Sequence, residues 1–174
     1  MITLVSLFSL LLAISLLVVA AMLLLSVLGG AQLVTTPKVV WPLIVKLAGL
    51  KSGEQWMELG SGLGYVSGFV GRSTKARVVG IDLALLWVWL ARILQQGSSA
   101  EFRVGNLFTA DLTQVDVVYC YLLPPMLTKL ELKFVAQLRP SSRVITYGFP
   151  LPNRDATRSI KRTKDHGPLF LYEY

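Results

Sequence analysis

"MELGSGLGYVSGFVG", residues 57–71, places five glycines and one carboxylate between two apolar stretches. A chain leaves its backbone that bare where it turns sharply or lets something approach closely. Gly60, Gly62 and Gly64 follow Glu58 as E-x-G-x-G-x-G. A dinucleotide turn, G-x-G-x-x-G, would need its third glycine at position 65, which is Tyr65. No Lys-Ser/Thr pair follows the loop, which excludes a P-loop. An acid opening the motif would repel a diphosphate, but it suits a zwitterionic ligand with an ammonium group.

Outward from this loop, strands and helices alternate. "QWMEL" (55–59) reads as a strand entering the loop and 65–73 as the helix leaving it. Residues 76–82 ("ARVVGID"), 100–106, 115–122 and 142–149 read as further strands, and 83–97 and 125–138 as helices. The chain closes with two short strands, "RSIKRT" and "LFLYEY", around "KDHGP" as a hairpin. This order predicts an α/β fold, a doubly wound and mostly parallel sheet with a C-terminal antiparallel hairpin. Ahead of it, Pro37 to Leu50 reads as an amphipathic helix, with Thr36 as its N-cap and Pro42 disturbing its first turn. Asp82 ends the second strand, 82 − 58 = 24 residues after Glu58. An acid there either bonds both hydroxyls of a ribose or simply caps the next helix.

The 174-residue chain has room for one domain and an appendage. From Met1 to Pro37 it carries no charge, and Leu4 to Leu28 is nearly unbroken Leu, Val, Ala and Ile. A signal peptide would want a basic start and a core of roughly 7–15 residues. The longer run predicts one transmembrane helix within 1–30, then a linker and helix over 31–54, then the main domain over 55–174. Lys38, Lys46 and Lys51 follow the run, so the positive-inside rule places the domain in the cytoplasm as a single-pass membrane protein. A single cysteine, Cys120, excludes a disulfide framework and a cysteine zinc site. His166, the only histidine, reads as a loop residue, and no metal cluster is apparent.

The spacing of "ELGSGLG" resembles motif I of class I S-adenosylmethionine-dependent methyltransferases. Thr36-Pro37 ahead of this motif, and "NLFTADLTQVDVV", "YLLPPMLTKLELKF" and "RVITYGFPLP" after it, stand in an order that narrows the resemblance. Together they resemble the membrane-anchored lysine methyltransferases acting on the ATP synthase c-subunit and the adenine nucleotide translocase, and their bacterial relatives. The resemblance spans roughly residues 33–174 and implies a Rossmann-like methyltransferase fold with S-adenosyl-L-methionine as cofactor. It implies that Glu58, Gly60, Ser61, Gly62, Gly64 and Asp82 serve that cofactor, with Asn106 beside the adenine.

Methyl transfer from a sulfonium is an in-line displacement that needs alignment and a neutral nucleophile. Tyr119, Tyr121 and Pro124 stand at the carboxyl end of the fourth strand, the edge where open α/β sheets bind ligands. There Tyr119, Tyr121 and Pro124 are the candidate acceptor wall, Tyr121 and Pro124 shaping the channel, with an aromatic face for a lysine chain or sulfonium. The bland reading makes the tyrosines core residues. Glu131 and Lys133 read as surface charges of a helix. Seven cations between Arg139 and Lys164 form either a solvated face or a contact for anionic headgroups. Aromatic residues do not interleave with them, which disfavours nucleic acid. The expected partners are therefore the bilayer and a membrane-associated protein substrate. Methylation of a lipid or isoprenoid is the alternative within enzymes, and a degenerate membrane adaptor is the alternative outside them.

Overall fold

The computed structural model describes residues 4–28 and 34–174, and within 4–28 the side chains of Leu4 and of residues 6–21. The chain forms two compact units, Met1–Leu33 and Val34–Tyr174. In the first, helix α1 runs Leu4–Leu28 without a charged residue in it. Among the described residues, however, no helix is long and apolar enough to cross a membrane. A span takes about 17–25 apolar residues, and the continuous run of described side chains stops at Ala21. The spanning helix expected over 1–30 is thus not found there, and the part of that expectation over residues 1–3 and 29–30 lies outside the described residues.

In the second unit, α2 (Trp41–Ala48) follows a single 3-10 turn, Lys38–Val40, with Pro42 in its first turn. Gly49 closes α2 in the left-handed conformation, φ 56°. Then come β1 (Gln55–Leu59), α3 (Tyr65–Ser73), β2 (Arg77–Asp82), α4 (Leu85–Leu94), β3 (Glu101–Val104) and β4 (Val117–Cys120). Helix α5 (Pro124–Gln137), β5 (Arg143–Tyr147), β6 (Arg158–Ile160) and β7 (Leu169–Glu173) complete the unit. One seven-stranded sheet holds them in the order β3-β2-β1-β4-β5-β7-β6. β1 to β5 run parallel, and β7 lies antiparallel to both β5 and β6. The expected α/β sheet and its terminal hairpin are therefore present. The chain winds outward from β1 to β3, then crosses to β4, so the strand order reverses between β1 and β4. Such a switch point opens a crevice at the carboxyl ends of the strands.

Every residue of β4 is buried, as a strand covered on both faces should be. Val117 and Tyr119 point into a core with Ile44 of α2, Val70 of α3, Trp56 and Leu171. Val118 and Cys120 point into the other, with Leu127, Leu130 and Phe134 of α5. Alternation along one strand thus feeds two apolar layers. Arg143 ties the amino edge: its Nη1 donates to the Ala48 and Gly49 carbonyls at the end of α2, 2.6 and 3.0 Å, and Nη2 pairs with Glu54 at 2.6 Å.

Thr36 does not cap a helix. Its hydroxyl lies 2.6 Å from the Tyr119 hydroxyl, and its carbonyl accepts the Trp41 indole N–H at 2.9 Å. Tyr119 is fully buried and stacked on Trp56, centroids 5.8 Å apart, so it belongs to the core and not to an acceptor wall. Both hydroxyls are buried, and each would be orphaned by loss of the other. Tyr119→Phe and Thr36→Val should each cost about 1–3 kcal/mol. The double variant should cost clearly less than the sum of the two, measured by urea unfolding. Strict additivity would mean that the hydroxyls do not depend on each other.

Candidate active site

The carboxyl end of β2 organises the crevice. The Ile81 carbonyl accepts the N–H groups of Gly60 and Ser61, 2.8 and 2.9 Å, which folds the glycine loop over the end of the neighbouring strand. The Gly62 N–H donates to Asp82 Oδ2 at 2.8 Å, and the Ala84 N–H donates to Oδ1 at 2.9 Å. The Gly105 N–H donates to the Asp82 carbonyl at 2.9 Å and so binds the end of β3 to the same point. Gly60, Gly62 and Gly64 take φ of 78°, 50° and 71°, values that other L-residues rarely adopt. At Gly64 a Cβ would also overlap the Phe102 ring, so this glycine lets the loop sit down on β3. Ser61 Oγ is buried with no partner among the described residues.

Helix α3 starts at Gly64 without a side-chain cap. The acceptor comes instead from β1. Glu58 Oε2 takes the backbone N–H of Ser67 at 2.9 Å and its hydroxyl at 2.6 Å, and Trp56 Nε1 adds a 3.3 Å bond to the same Ser67 hydroxyl. Both bonds to Glu58 converge on Oε2, and none of the described bonds uses Oε1. Burial lifts the Glu58 carboxyl from 4.5 to about 7; the Ser67 bonds oppose that rise and the nearby Asp82 charge adds to it.

Asn106 sits at the same edge, exposed. Its Oδ1 accepts the Phe108 N–H at 2.9 Å and its carbonyl starts a turn by taking Thr109 and Ala110. On the other side of β1, Leu122 packs against the loop: a Cβ on Gly60 would come within 3.0 Å of it. Tyr121, one residue past β4, is half-buried and meets Tyr147 edge-on at 4.7 Å and 77°. Gly148, at φ 82°, makes room for that ring; a Cβ there would stand 3.0 Å from Tyr121 Cε2. Pro124 is different. It is exposed, begins α5, and its carbonyl accepts the Thr128 hydroxyl at 3.0 Å. The structure thus gathers Glu58, the glycine loop, Asp82, Asn106 and Tyr121 at one edge and leaves Pro124 as a helix start.

Glu131 corrects the surface reading. It is 5% exposed, and its carboxylate receives the Asn153 backbone N–H, 3.2 Å to each oxygen, and the Asn153 side-chain amide at 2.9 Å. The signal was in the sequence: Leu127, Leu130, Glu131 and Phe134 fall at the spacing of one buried helix face. Tyr147 and Ser67 were missed as well, because neither lies in the motif that singles out its partner.

A carboxyl whose constant rises on folding keeps a proton that the unfolded chain has released. Between pH 4.5 and about 7 the unfolded state therefore binds fewer protons, and stability falls as pH rises through that window, then levels off. Glu58→Gln keeps an acceptor for Ser67 without a charge to bury, so it should abolish that decline. Relative to the unsubstituted protein it should gain on the order of 3 kcal/mol between pH 4.5 and 8, read from urea unfolding at several pH values. Equal pH profiles would place the proton elsewhere.

The sequence profile of the ANTKMT methyltransferase domain matches residues 58–158. No curated protein matches the sequence. An RNA methyltransferase from Salinibacter ruber, in complex with S-adenosyl-L-homocysteine, is 31% identical at a TM-score of 0.76, over 80% of this chain and 93% of that one. S-adenosylmethionine-dependent methyltransferases of Geobacter sulfurreducens and Thiobacillus denitrificans, both with S-adenosyl-L-homocysteine bound, share the fold at 18% and 19% identity and TM-scores of 0.56 and 0.51. They cover 75% and 68% of this chain and 57% and 52% of their own. The site fits that cofactor: bare glycine backbone for close approach, and two carboxylates with acceptor capacity left over. S-adenosyl-L-methionine is accordingly the cofactor, and the chain belongs to the ANTKMT methyltransferase domain family, with the seven-stranded sheet of class I methyltransferases.

Proposed function

We propose that the protein is a membrane-anchored protein-lysine methyltransferase. The observation that carries this reading is the aromatic pair Tyr121 and Tyr147 beside the glycine loop, in a chain whose 58–158 segment matches the ANTKMT domain. Bound S-adenosyl-L-methionine supplies an electrophilic methyl group on a sulfonium. The chain's own residues would hold and orient it: Asp82 would take the ribose hydroxyls, Asn106 would stand beside the adenine, and Gly60, Ser61, Gly62 and Gly64 would line the methionine end. Glu58 answers its ammonium, and losing a proton on binding would strengthen that contact. Tyr121 offers its ring to the incoming amine, which reacts as the neutral base; cation–π attraction then favours the charged product and the sulfonium alike. Pro124 shapes the rim only through the start of α5.

Support for the anchor is the 25-residue α1, free of charge throughout its length. Lys38, Lys46 and Lys51 follow it and orient the domain to the cytoplasm. A second reading, RNA as acceptor, is favoured by the 31% identity to the Salinibacter ruber RNA methyltransferase and by the net charge of +7.

Mass spectrometry of membrane proteins and of RNA nucleosides from deletion and parent cells separates the two: a lysine methyl mark lost on deletion supports the first, a methylated nucleoside the second. Alkaline carbonate should leave the protein in the membrane pellet, and release would refute the anchor. By calorimetry, Asp82→Ala should weaken S-adenosyl-L-homocysteine binding by about 1.5–3 kcal/mol, and unchanged affinity in the folded variant would remove Asp82 from the site. Tyr121→Ala should keep cofactor affinity within about threefold while turnover on the acceptor falls sharply. Tyr121→Phe should retain most of that turnover. A fully active Tyr121→Ala enzyme would put the acceptor elsewhere.

A further inference from the structure

The β6–β7 hairpin loop, residues 161–168, lies at the same edge as the cofactor crevice. β7 begins opposite the end of β5, Leu169 against Tyr147. The Gly148 N–H donates to the Pro168 carbonyl at 2.9 Å, and the Gly167 N–H donates to the Tyr147 hydroxyl at 2.9 Å. The loop is thus seated on the two residues that pack against Tyr121, and Arg162 is near enough for its charge to act on the Tyr121 hydroxyl. Lys161, Arg162 and Lys164 are all exposed, and no ion pair among the described residues engages any of them. Elsewhere in the basic C-terminal stretch the cations are committed: Arg139 pairs with Asp116, Arg143 with Glu54, and Arg154 lies over the Tyr174 ring.

Apolar side chains stand exposed on the adjoining loops of this edge. Leu123, after β4, is 44% exposed, and Phe149, after β5, is 36% exposed. Apolar tips flanked by unpaired cations match the boundary of an anionic bilayer, where the tips enter the acyl region and the cations meet headgroup phosphates. We propose that Leu123, Phe149, Lys161, Arg162 and Lys164 form a docking rim for anionic lipid, which holds the mouth of the acceptor site against the membrane surface. This rests on the anchored reading above, and it adds a second contact independent of α1. A lone α1 would tether the domain without orienting it. The rim sets which edge faces the bilayer, so the acceptor is one presented at the membrane surface.

The test uses the full chain in nanodiscs of phosphatidylcholine, with or without phosphatidylglycerol. An environment-sensitive fluorophore is placed at F149C; the native thiol, Cys120, is buried. Emission should shift to the blue only in the anionic discs, and high salt should reverse the shift. K161Q/R162Q/K164Q should abolish it, the docked-to-free ratio falling about fivefold per cation removed. K51Q/K75Q/R77Q, which removes the same charge from the amino edge, should leave it intact. Equal emission in both disc types, a shift that survives the first triple variant, or an equal loss in the second would overturn the proposal. So would short RNA bound through the same three cations while emission ignores the lipid. A protein that stays in the discs without a shift refutes the rim alone, whereas release by carbonate refutes the anchor.

Discussion

The end of β2 is the point on which the site depends. Five hydrogen bonds from the glycine loop, the segment leading to α4 and the end of β3 are directed at two consecutive residues: the Ile81 carbonyl takes two, the Asp82 side chain takes two from Gly62 and Ala84, and the Asp82 carbonyl takes one from Gly105. Each donor is a backbone N–H, so the geometry is set by the chain and not by rotamers. The same carboxylate that fixes Gly62 lies at the carboxyl end of β2, beside the strand that borders the switch point, and a carboxylate has acceptor sites to spare. Asp82 holds Gly62 and the Ala84 N–H ahead of α4, a helix that starts without a side-chain cap, and the proposed ribose contact would use the acceptor sites left over.

Glu58 shows what the loop costs. A left-handed Gly64 starts α3 with no side chain to cap it, and the orphan N–H of Ser67 would otherwise be buried unpaired. An acid reaching across from β1 fills that role and gains from the positive end of the helix. Desolvation still outweighs the two bonds, which is why the carboxyl stays protonated up to about neutrality. A cationic ligand arriving near it would restore the charge that folding disfavours. Structural capping and the proposed ligand recognition would therefore be in tension at this residue, with a proton to resolve it.

The cofactor half of the site was legible because it is written in backbone requirements. Glycines at 60, 62 and 64 and an acid at 82 state where the chain must turn and what must stand beside the turn. The acceptor half was less so. Strand β4, expected to reach Leu122, stops at Cys120, because the chain must turn before Pro124 opens α5. Tyr119 and Tyr121 share one face in the sequence, but the covering α2 and the Thr36 segment bury the first, and the edge leaves the second half open. Thr36 itself looked like a cap because local pattern cannot see a hydroxyl 83 residues away. Glu131 was misread by treating charge as exposure when its helical phase said otherwise.

That asymmetry follows from how the second face of the sheet is covered. After β3 and after β5 the described chain runs as loops, and α5 is the only helix over that face. A loop wall needs fixing that a helix supplies for itself. Here the segment after β5 is held by Thr146 donating to the Phe149 carbonyl at 2.6 Å, by the Leu151 N–H on the Tyr172 hydroxyl at 2.8 Å, and by Asn153 on Glu131. The first bond is local, whereas the other two join residues that no local motif connects and depend on buried polar groups contributed by β7 and α5. On the proposed reading acceptor choice would be set by these loops, whose shape comes largely from long-range pairing, while the glycine loop that suits the cofactor takes its shape from local glycine spacing. A small methyltransferase can therefore keep its cofactor site nearly invariant in backbone and still change its acceptor by altering a few distant clamps.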